Sequence, residues 1–350
     1  MDQTSLPRLP LLPIKASDRH FWVHHINPYA VDLGHAFGIH WAIHWYGLAY
    51  LAGLVWGWWL LSRWVRQGRA PLRPEWVQDF VLWAGMGMII GGRLGYCLFY
   101  AFDELLANPF GRMADYDTDR GVFLPHGVQA PLDHVVRAFD WPFVLQVWNG
   151  GMASHGGIIG LAVGCWLFSR KYQVSFAVLG DCISAAGPIG VMFGRIANFI
   201  NGELWGRPTQ VPWAVIFPDA PLVGGYAVPR HPSQLYAVGM EGLVPLVIGL
   251  VVHARHRRPG LTTGVVLSCY AVGRFIDEFM REPDLGQAGS PGVPLILGFM
   301  TKGQALTVPV LVIGVAAIIW ALRHPPRPEL YRAVDGQGAP LPEGAPLAAR

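Results

Sequence analysis

Gly194-Arg195-Ile196-Ala197-Asn198-Phe199-Ile200-Asn201-Gly202-Glu203-Leu204-Trp205-Gly206-Arg207 ends an apolar run that begins near Ala177, and leaves it through a cluster of polar groups. Arg195 and Asn198 are three apart, so on a helix they share one face. A charged side chain at membrane depth costs ~2.5–3.5 kcal/mol on insertion scales. Arg195 therefore either serves an ion or substrate there, or sits near a helix end and snorkels to the headgroups.

The composition around this stretch belongs to a membrane protein. Of 350 residues, 52% are hydrophobic and 14% charged, against about 25% charged in an average soluble domain. The 15 tryptophans and 43 glycines suit membrane interfaces and membrane helices. A net charge of +3 gives no reason to expect a nucleic-acid partner. Cys97, Cys165, Cys182 and Cys269 all lie in apolar runs without metal spacing, so they read as small core residues. The first apolar run is too long for a signal-peptide core, and no cleavage is expected.

Hydropathy predicts an all-α polytopic membrane protein with about seven transmembrane helices and a small extracytoplasmic head. The expected spans cover about Ile39–Ser62, Trp76–Tyr100, Phe143–Phe168, Phe176–Ile200, Gln234 to just before Arg255, Leu261–Met280 and Gln304–Leu322. Residues 1–36 form an N-terminal segment in which Pro7, Pro10, Pro13 and Pro28 argue against a long helix. The transmembrane domain, 37–323, includes a long polar outer loop at 103–141. It also includes an outer head at 201–230, with a β-like run at Trp213–Phe217. Residues 324–350 read as a Pro-rich, disordered cytoplasmic tail.

Basic residues set the orientation. Arg63, Arg66, Arg69 and Arg73 follow span one, Arg170 and Lys171 span three, Arg255, Arg257 and Arg258 span five, and Arg323 and Arg327 span seven. The positive-inside rule then places the N-terminus outside and the C-terminus in the cytoplasm.

Arg274, Glu278 and Arg281 stand at i, i+4 and i+7, one stripe on a helix. Glu278 can pair with either arginine, and with Arg195 added the site reads as cationic. Guanidiniums hold phosphate oxygens bidentately, so the stripe suits an anionic-lipid headgroup; a helix-locking salt bridge is the structural alternative. His155 lies between Gly150-Gly151 and Gly156-Gly157, where the backbone can open to a ligand, and imidazole is the natural base near neutral pH. A packing histidine reads equally well. Tyr46 offers a phenol at the outer end of span one. Asp181 and Glu241 read as helix-packing groups. Gly92-Arg93, Gly194-Arg195 and Gly273-Arg274 each set an arginine beside a glycine, whose small size would let a helix or headgroup approach.

The long signature resembles that of the bacterial prolipoprotein diacylglyceryl transferases, G-R-x-x-N-F-x-N-x-E-x-x-G. The pieces I-H-W-Y-G, G-G-R-x-G-Y, G-G-M-x-x-H-G-G, H-P-S-Q-L-Y and R-x-x-x-E-F-x-R-E-P-D resemble the same family, in its order, from about Ile39 to Leu322. The resemblance implies transfer of a diacylglyceryl group from phosphatidylglycerol to the lipobox cysteine of a preprolipoprotein in the bacterial inner membrane, the first step of lipoprotein maturation. The product is a thioether, and glycerol phosphate is released. It implies that Arg195 contacts the phosphatidylglycerol and that His155 and Arg274 form the catalytic pair. Asn198, Glu203, Gly206, Glu278, Arg281 and Tyr46 match further required positions. The pattern departs from the family at Asn149, where an acid is common, at Ala237, where Glu is expected, and in a longer loop at about 111–140.

The implied reaction is substitution at a glycerol carbon. It needs a thiolate, whose free pKa is ~8.5, and donors for the departing phosphate. No metal or organic cofactor is required, and the nucleophile arrives with the protein substrate. An anionic-lipid transporter or channel would also carry intramembrane arginines, but should show paired broken helices in two related halves.

Overall fold

The computed structural model describes residues 13–18, 20–36, 39–117, 122–123, 135–146, 151–283, 293–335 and 337–341. Strands β1 (Trp22–Val23), β2 (Tyr29–Ala36) and β3 (Ile39–His44) lead into helix α1 (Trp45–Arg66). Helices α2 (Trp76–Phe99) and α3 (Phe102–Ala107) precede strands β4 (Arg112–Asp117), β5 (Val122–Phe123) and β6 (Val135–Asp140). Then come α4 (Ser154–Tyr172), α5 (Phe176–Ala186), α6 (Pro188–Ile200), β7 (Val215–Ile216) and β8 (Pro229–Arg230). The chain continues through α7 (Ser233–Ala237), a π-helical segment (Val238–Leu243), α8 (Val244–Arg255), α9 (Leu261–Met280) and α10 (Lys302–Arg323). Among the described residues, four helical stretches are long and apolar enough to cross a membrane: Trp76–Phe99, Phe176–Ile200, Ser233–Arg255 and Lys302–Arg323. Helices α1, α4 and α9, with 22, 19 and 20 residues, are long enough in residue count, but Trp, Gly or charged residues dilute their hydropathy.

The chain forms two compact units, Met1–Pro74 with Ala177–Arg350, and Glu75–Phe176. In the first, β1, β7 and β8 make a three-stranded sheet, β1 parallel and β8 antiparallel to the central β7. Phe21, Ala214, Ile216 and Ala227 pack together beside it. The β-like run expected within 213–217 thus contains β7. The first expected span needs correction at its start, because Ile39–His44 is a strand paired with β2. The reason is visible in the residues: Ile39, Trp41 and Ile43 alternate with His40, Ala42 and His44, a period of two rather than 3.6.

Proline shapes two of the long helices. Pro188 stands at the first turn of α6, where its missing N–H is tolerated, and marks the break after α5. Pro245 cannot donate to the carbonyl four residues back, that of Glu241. The turn before it widens into the π segment, the kind of local irregularity that tends to mark functional sites.

The tail also differs from expectation. A short 3-10 turn at Pro328–Tyr331 buries Tyr331, whose hydroxyl donates to Asp181 Oδ2 at 2.6 Å. The Arg257 guanidinium lies 5.2 Å from its ring centroid. Asp181 accepts three more hydrogen bonds, from the Gly260 and Thr263 backbones and the Thr263 hydroxyl. It is the packing anchor its position suggested; residues beyond 341 lie outside the described set.

In the second unit, α2 and α4 approach closely along facing glycines: a Cβ added to Gly91 would lie 2.3 Å from the Gly156 carbonyl oxygen. Strands β5, β4 and β6 form an antiparallel sheet inside what reads from sequence as a polar loop. Helix α4 begins at Ser154, later than the expected span start near Phe143, and Phe143–Leu145 is a 3-10 turn. Gly150 and Gly151, just before Ser154, explain the late start, since each weakens a helix; residues 147–150 lie outside the described set.

Candidate functional site

Arg195, near the end of α6, points its Nη2 and Nε at Glu241 Oε2, at 2.7 and 3.1 Å. Glu241 sits in the π segment, and its side chain is 0% exposed. Arg274 of α9 approaches the other oxygen of the same carboxylate, Nε to Oε1 at 3.8 Å. That approach depends on its neighbour: a Cβ on Gly273 would fall 2.4 Å from the Met240 carbonyl oxygen. Of the three glycine–arginine pairs, this one has the close backbone approach the pattern suggested. A Cβ on Gly194 would meet nothing within 4 Å among the described atoms, and Gly92 faces the flexible end of Met152.

Arg274 also reaches along its own helix, with Nη1 3.5 Å from Asp277 Oδ2 and Nη2 2.5 Å from Glu278 Oε2. Glu278 Oε1 accepts a hydrogen bond from the Thr301 hydroxyl at 2.9 Å. Thr301 is the N-cap of α10 and forms a reciprocal capping box with Gln304. The Glu278 carboxylate therefore lies against a helix N-terminus, where negative charge is favoured. Gly303 makes room for it, since a Cβ there would sit 2.5 Å from Oε1.

Where the signature leaves α6, Asn198 donates to Glu203 Oε1 at 2.7 Å and to the Tyr46 hydroxyl at 3.4 Å. The Ser233 hydroxyl and Gln234 amide donate to the Leu204 and Glu203 carbonyls, at 3.0 and 2.6 Å. Gly206 donates its N–H to the His231 carbonyl and bridges to Arg281. Any Cβ at Gly206 would lie 2.4 Å from that His231 oxygen, so only glycine fits the junction. The Tyr236 hydroxyl accepts from Trp213 Nε1 at 2.6 Å and lies 3.1 Å from His231 Nδ1. Burial holds His231 below the usual imidazole range, so the neutral ring can accept the Tyr236 proton. Arg195, Leu204, Ser233, Gln234, Asp277 and Arg281 line a tight cleft among these groups, closed to a water-sized sphere in this conformation.

The structure thus brings Arg195, Arg274 and Glu278 together through Glu241, and Asn198, Glu203 and Tyr46 in a second hydrogen-bonded set on the same signature, with Gly206 bridged to Arg281. Glu278 pairs with Arg274. The expectation of a cationic site is corrected: Glu241 and Asp277 join Glu278, so three carboxylates face Arg195, Arg274 and Arg281. Sequence reasoning undervalued Glu241. Its signal was a lone carboxylate in the most apolar part of span five, a residue that is costly there unless paired. Arg93, by contrast, spends its donors on the Val144, Gly151 and Phe143 carbonyls and serves structure. His155 is the second residue of α4 in the other compact unit, and its side chain lies outside the described residues.

Apolar helices holding a buried cluster of guanidiniums and carboxylates define a multi-pass membrane protein. Residues 35–116 and 128–320 match the family described as prolipoprotein diacylglyceryl transferase, and the chain belongs to that family. It is 39% identical over 305 residues to a phosphatidylglycerol–prolipoprotein diacylglyceryl transferase of Agrobacterium fabrum, covering 85% of this chain and 92% of that one. The enzyme of that name in Chromohalobacter salexigens is 38% identical over 300 residues, covering 86% and 94%. That of Rhizobium meliloti is 40% identical over 286 residues, covering 79% and 87%.

Proposed function

We propose that the protein transfers the diacylglyceryl group of phosphatidylglycerol to the lipobox cysteine thiol of a preprolipoprotein, forming a thioether and releasing glycerol phosphate. The observation that carries the reading is the Arg195–Glu241–Arg274–Glu278 cluster, placed where the family signature leaves its helix. An anionic-lipid transporter is not favoured, because the named relatives are transferases. The reading is tested by following phosphatidylglycerol in vesicles with purified protein: consumption should require a peptide bearing a lipobox cysteine. Consumption without the peptide would point to a hydrolase.

In this mechanism the thiol proton passes to His155 and the thiolate sulfur attacks the glycerol carbon. The bond between that carbon and the phosphodiester oxygen breaks, and its electron pair stays on the oxygen, which leaves as glycerol phosphate. Arg195 gives Nε and Nη2 to Glu241, which leaves Nη1 for a phosphate oxygen on the cleft side. Arg274, braced by Glu278 and Glu241, offers the second positive charge where negative charge develops, and in a low-dielectric site such contacts are stronger than in water. Asn198, Glu203 and Gly206 hold the signature turn, while Tyr46, Glu278 and Arg281 complete the lipid site.

The bracing of Arg274 makes a prediction outside the signature. Gly303→Ala should push Glu278 off Arg274 or Thr301, each a charge-assisted contact worth ~1.5–3 kcal/mol. Transfer should fall by about tenfold or more with the protein still folded, measured as kcat/KM beside a thermal unfolding curve. An unchanged rate would show that Glu278 does not set Arg274.

We further propose seven spans in the bacterial inner membrane, with α1, α4 and α9 supplying the three beyond the four most apolar stretches. Residues 103–141 and the 201–230 head lie outside, and the C-terminus in the cytoplasm. Supporting this, Arg258 Nη1 reaches the Leu322 and His324 carbonyls, and Arg327 donates to the Arg257 carbonyl. The ends of spans five and seven therefore meet, as a shared cytoplasmic face requires. A reporter active only in the cytoplasm should give signal when fused after Arg350 and none when inserted near Gly225. The reverse pattern would overturn the orientation.

A further inference from the structure

The cleft beside Arg195 carries acceptors as well as donors. Gln234 is 2% exposed, and its Nε2 is held by the Glu203 carbonyl at 2.6 Å. That bond fixes the amide orientation, because a flip would set oxygen against oxygen. Gln234 Oε1 is then left buried without a hydrogen-bond partner among the described residues. Asp277, also 2% exposed, turns Oδ2 toward Arg274 and leaves Oδ1 likewise without a partner. Both residues line the same cleft as Arg195 and Arg281.

Buried acceptors are rarely left without donors, and an ionised phosphodiester by itself supplies none. A ligand matching this cleft has anionic oxygens for the guanidiniums and hydroxyl hydrogens for the two acceptors. We propose that Gln234 Oε1 and Asp277 Oδ1 receive the two free hydroxyls of the glycerol headgroup, and so select a polyol phosphodiester over other anionic lipids. The proposal rests on phosphatidylglycerol being the lipid substrate. It makes Asp277 a specificity residue, distinct from the groups that hold the phosphate. Helix α9 then presents Arg274 and Glu278 to the reacting end while Asp277 faces the headgroup.

The test is competitive binding from vesicles that contain equimolar phosphatidylglycerol, phosphatidylethanol and phosphatidylethanolamine in phosphatidylcholine, with protein-bound lipid counted by mass spectrometry. Phosphatidylethanol keeps the phosphodiester but lacks both hydroxyls. The wild-type protein should prefer phosphatidylglycerol over it by about tenfold or more, the scale of hydrogen bonds to a charged acceptor. Asp277→Leu, which keeps the shape and removes the acceptor, should bring the ratio of bound phosphatidylglycerol to phosphatidylethanol close to parity, a ratio that a general loss of phosphate affinity through Arg274 would leave unchanged. Asp277→Asn, which keeps one acceptor oxygen, should retain most of the preference. Equal weakening toward both lipids, or no preference in the wild type, would overturn the proposal. A wild-type preference for phosphatidylethanolamine would also overturn it, by assigning Asp277 to an ammonium group. Because binding is read without peptide, failure here is separable from failure of the transferase reading, which the peptide-dependent assay judges alone.

Discussion

Replacing Arg195 by alanine is expected to abolish capture of phosphatidylglycerol. The variant loses the Nη1 donor to phosphate, and a charge-assisted contact of that kind is worth ~1.5–3 kcal/mol. It also strands Glu241, which is 0% exposed, and removing one partner of a buried ion pair typically costs ~3–5 kcal/mol of stability. The alanine variant alone therefore mixes two effects. Adding Glu241→Gln removes the stranded charge, so the double variant should recover thermal stability without recovering lipid. Arg195→Lys should keep the fold, since a charge still faces Glu241, but rescue binding poorly because a compact ammonium held by Glu241 cannot also present the guanidinium's third nitrogen to phosphate. Lipid binding regained in the double variant, or full activity with lysine, would remove Arg195 from the phosphate site.

The second large effect concerns the thiol proton. General-base catalysis is typically worth about 10²–10⁴-fold, and His155→Gln should lower transfer by that order with phosphatidylglycerol binding intact. Raising the pH toward the thiol's own pKa, ~8.5 for a free cysteine, should recover part of the loss, because the substrate then ionises unaided. The measurement is a pH–rate curve for both proteins on one lipobox peptide. Parallel curves of similar height would retire His155 as the base and leave thiolate stabilisation to Arg195 and Arg274.

Sequence punctuation was most reliable where a span is bounded on both sides. Leu261–Met280 has the bounds hydropathy predicted, because Pro259-Gly260 stops the chain before it and Arg281 with Pro283 follows. Ile39–His44 misled because its apolar content counts toward a span, while its alternation belongs to a strand. The late start of α4 shows the same limit: glycines keep a segment apolar without keeping it helical. At the site, Arg195, Asn198, Glu203 and the Arg274 stripe were legible because the signature is long and their spacing places them on helix faces. Glu241 and Asp277 were not, since their importance depends on how α6, α9 and the π segment are rotated against one another. No local pattern states that rotation. Gly303 and Thr301 were equally silent, becoming meaningful only once the N-terminus of α10 is known to face Glu278.

The most direct test of the account is the product itself. Purified protein, phosphatidylglycerol vesicles and a lipobox peptide with a single cysteine should yield a peptide heavier by one diacylglyceryl group, joined through sulfur. One glycerol phosphate should appear per peptide modified, and a cysteine-to-serine peptide should remain unmodified. Lipid consumed without peptide modification, or glycerol phosphate released equally with the serine peptide, would contradict the transferase mechanism.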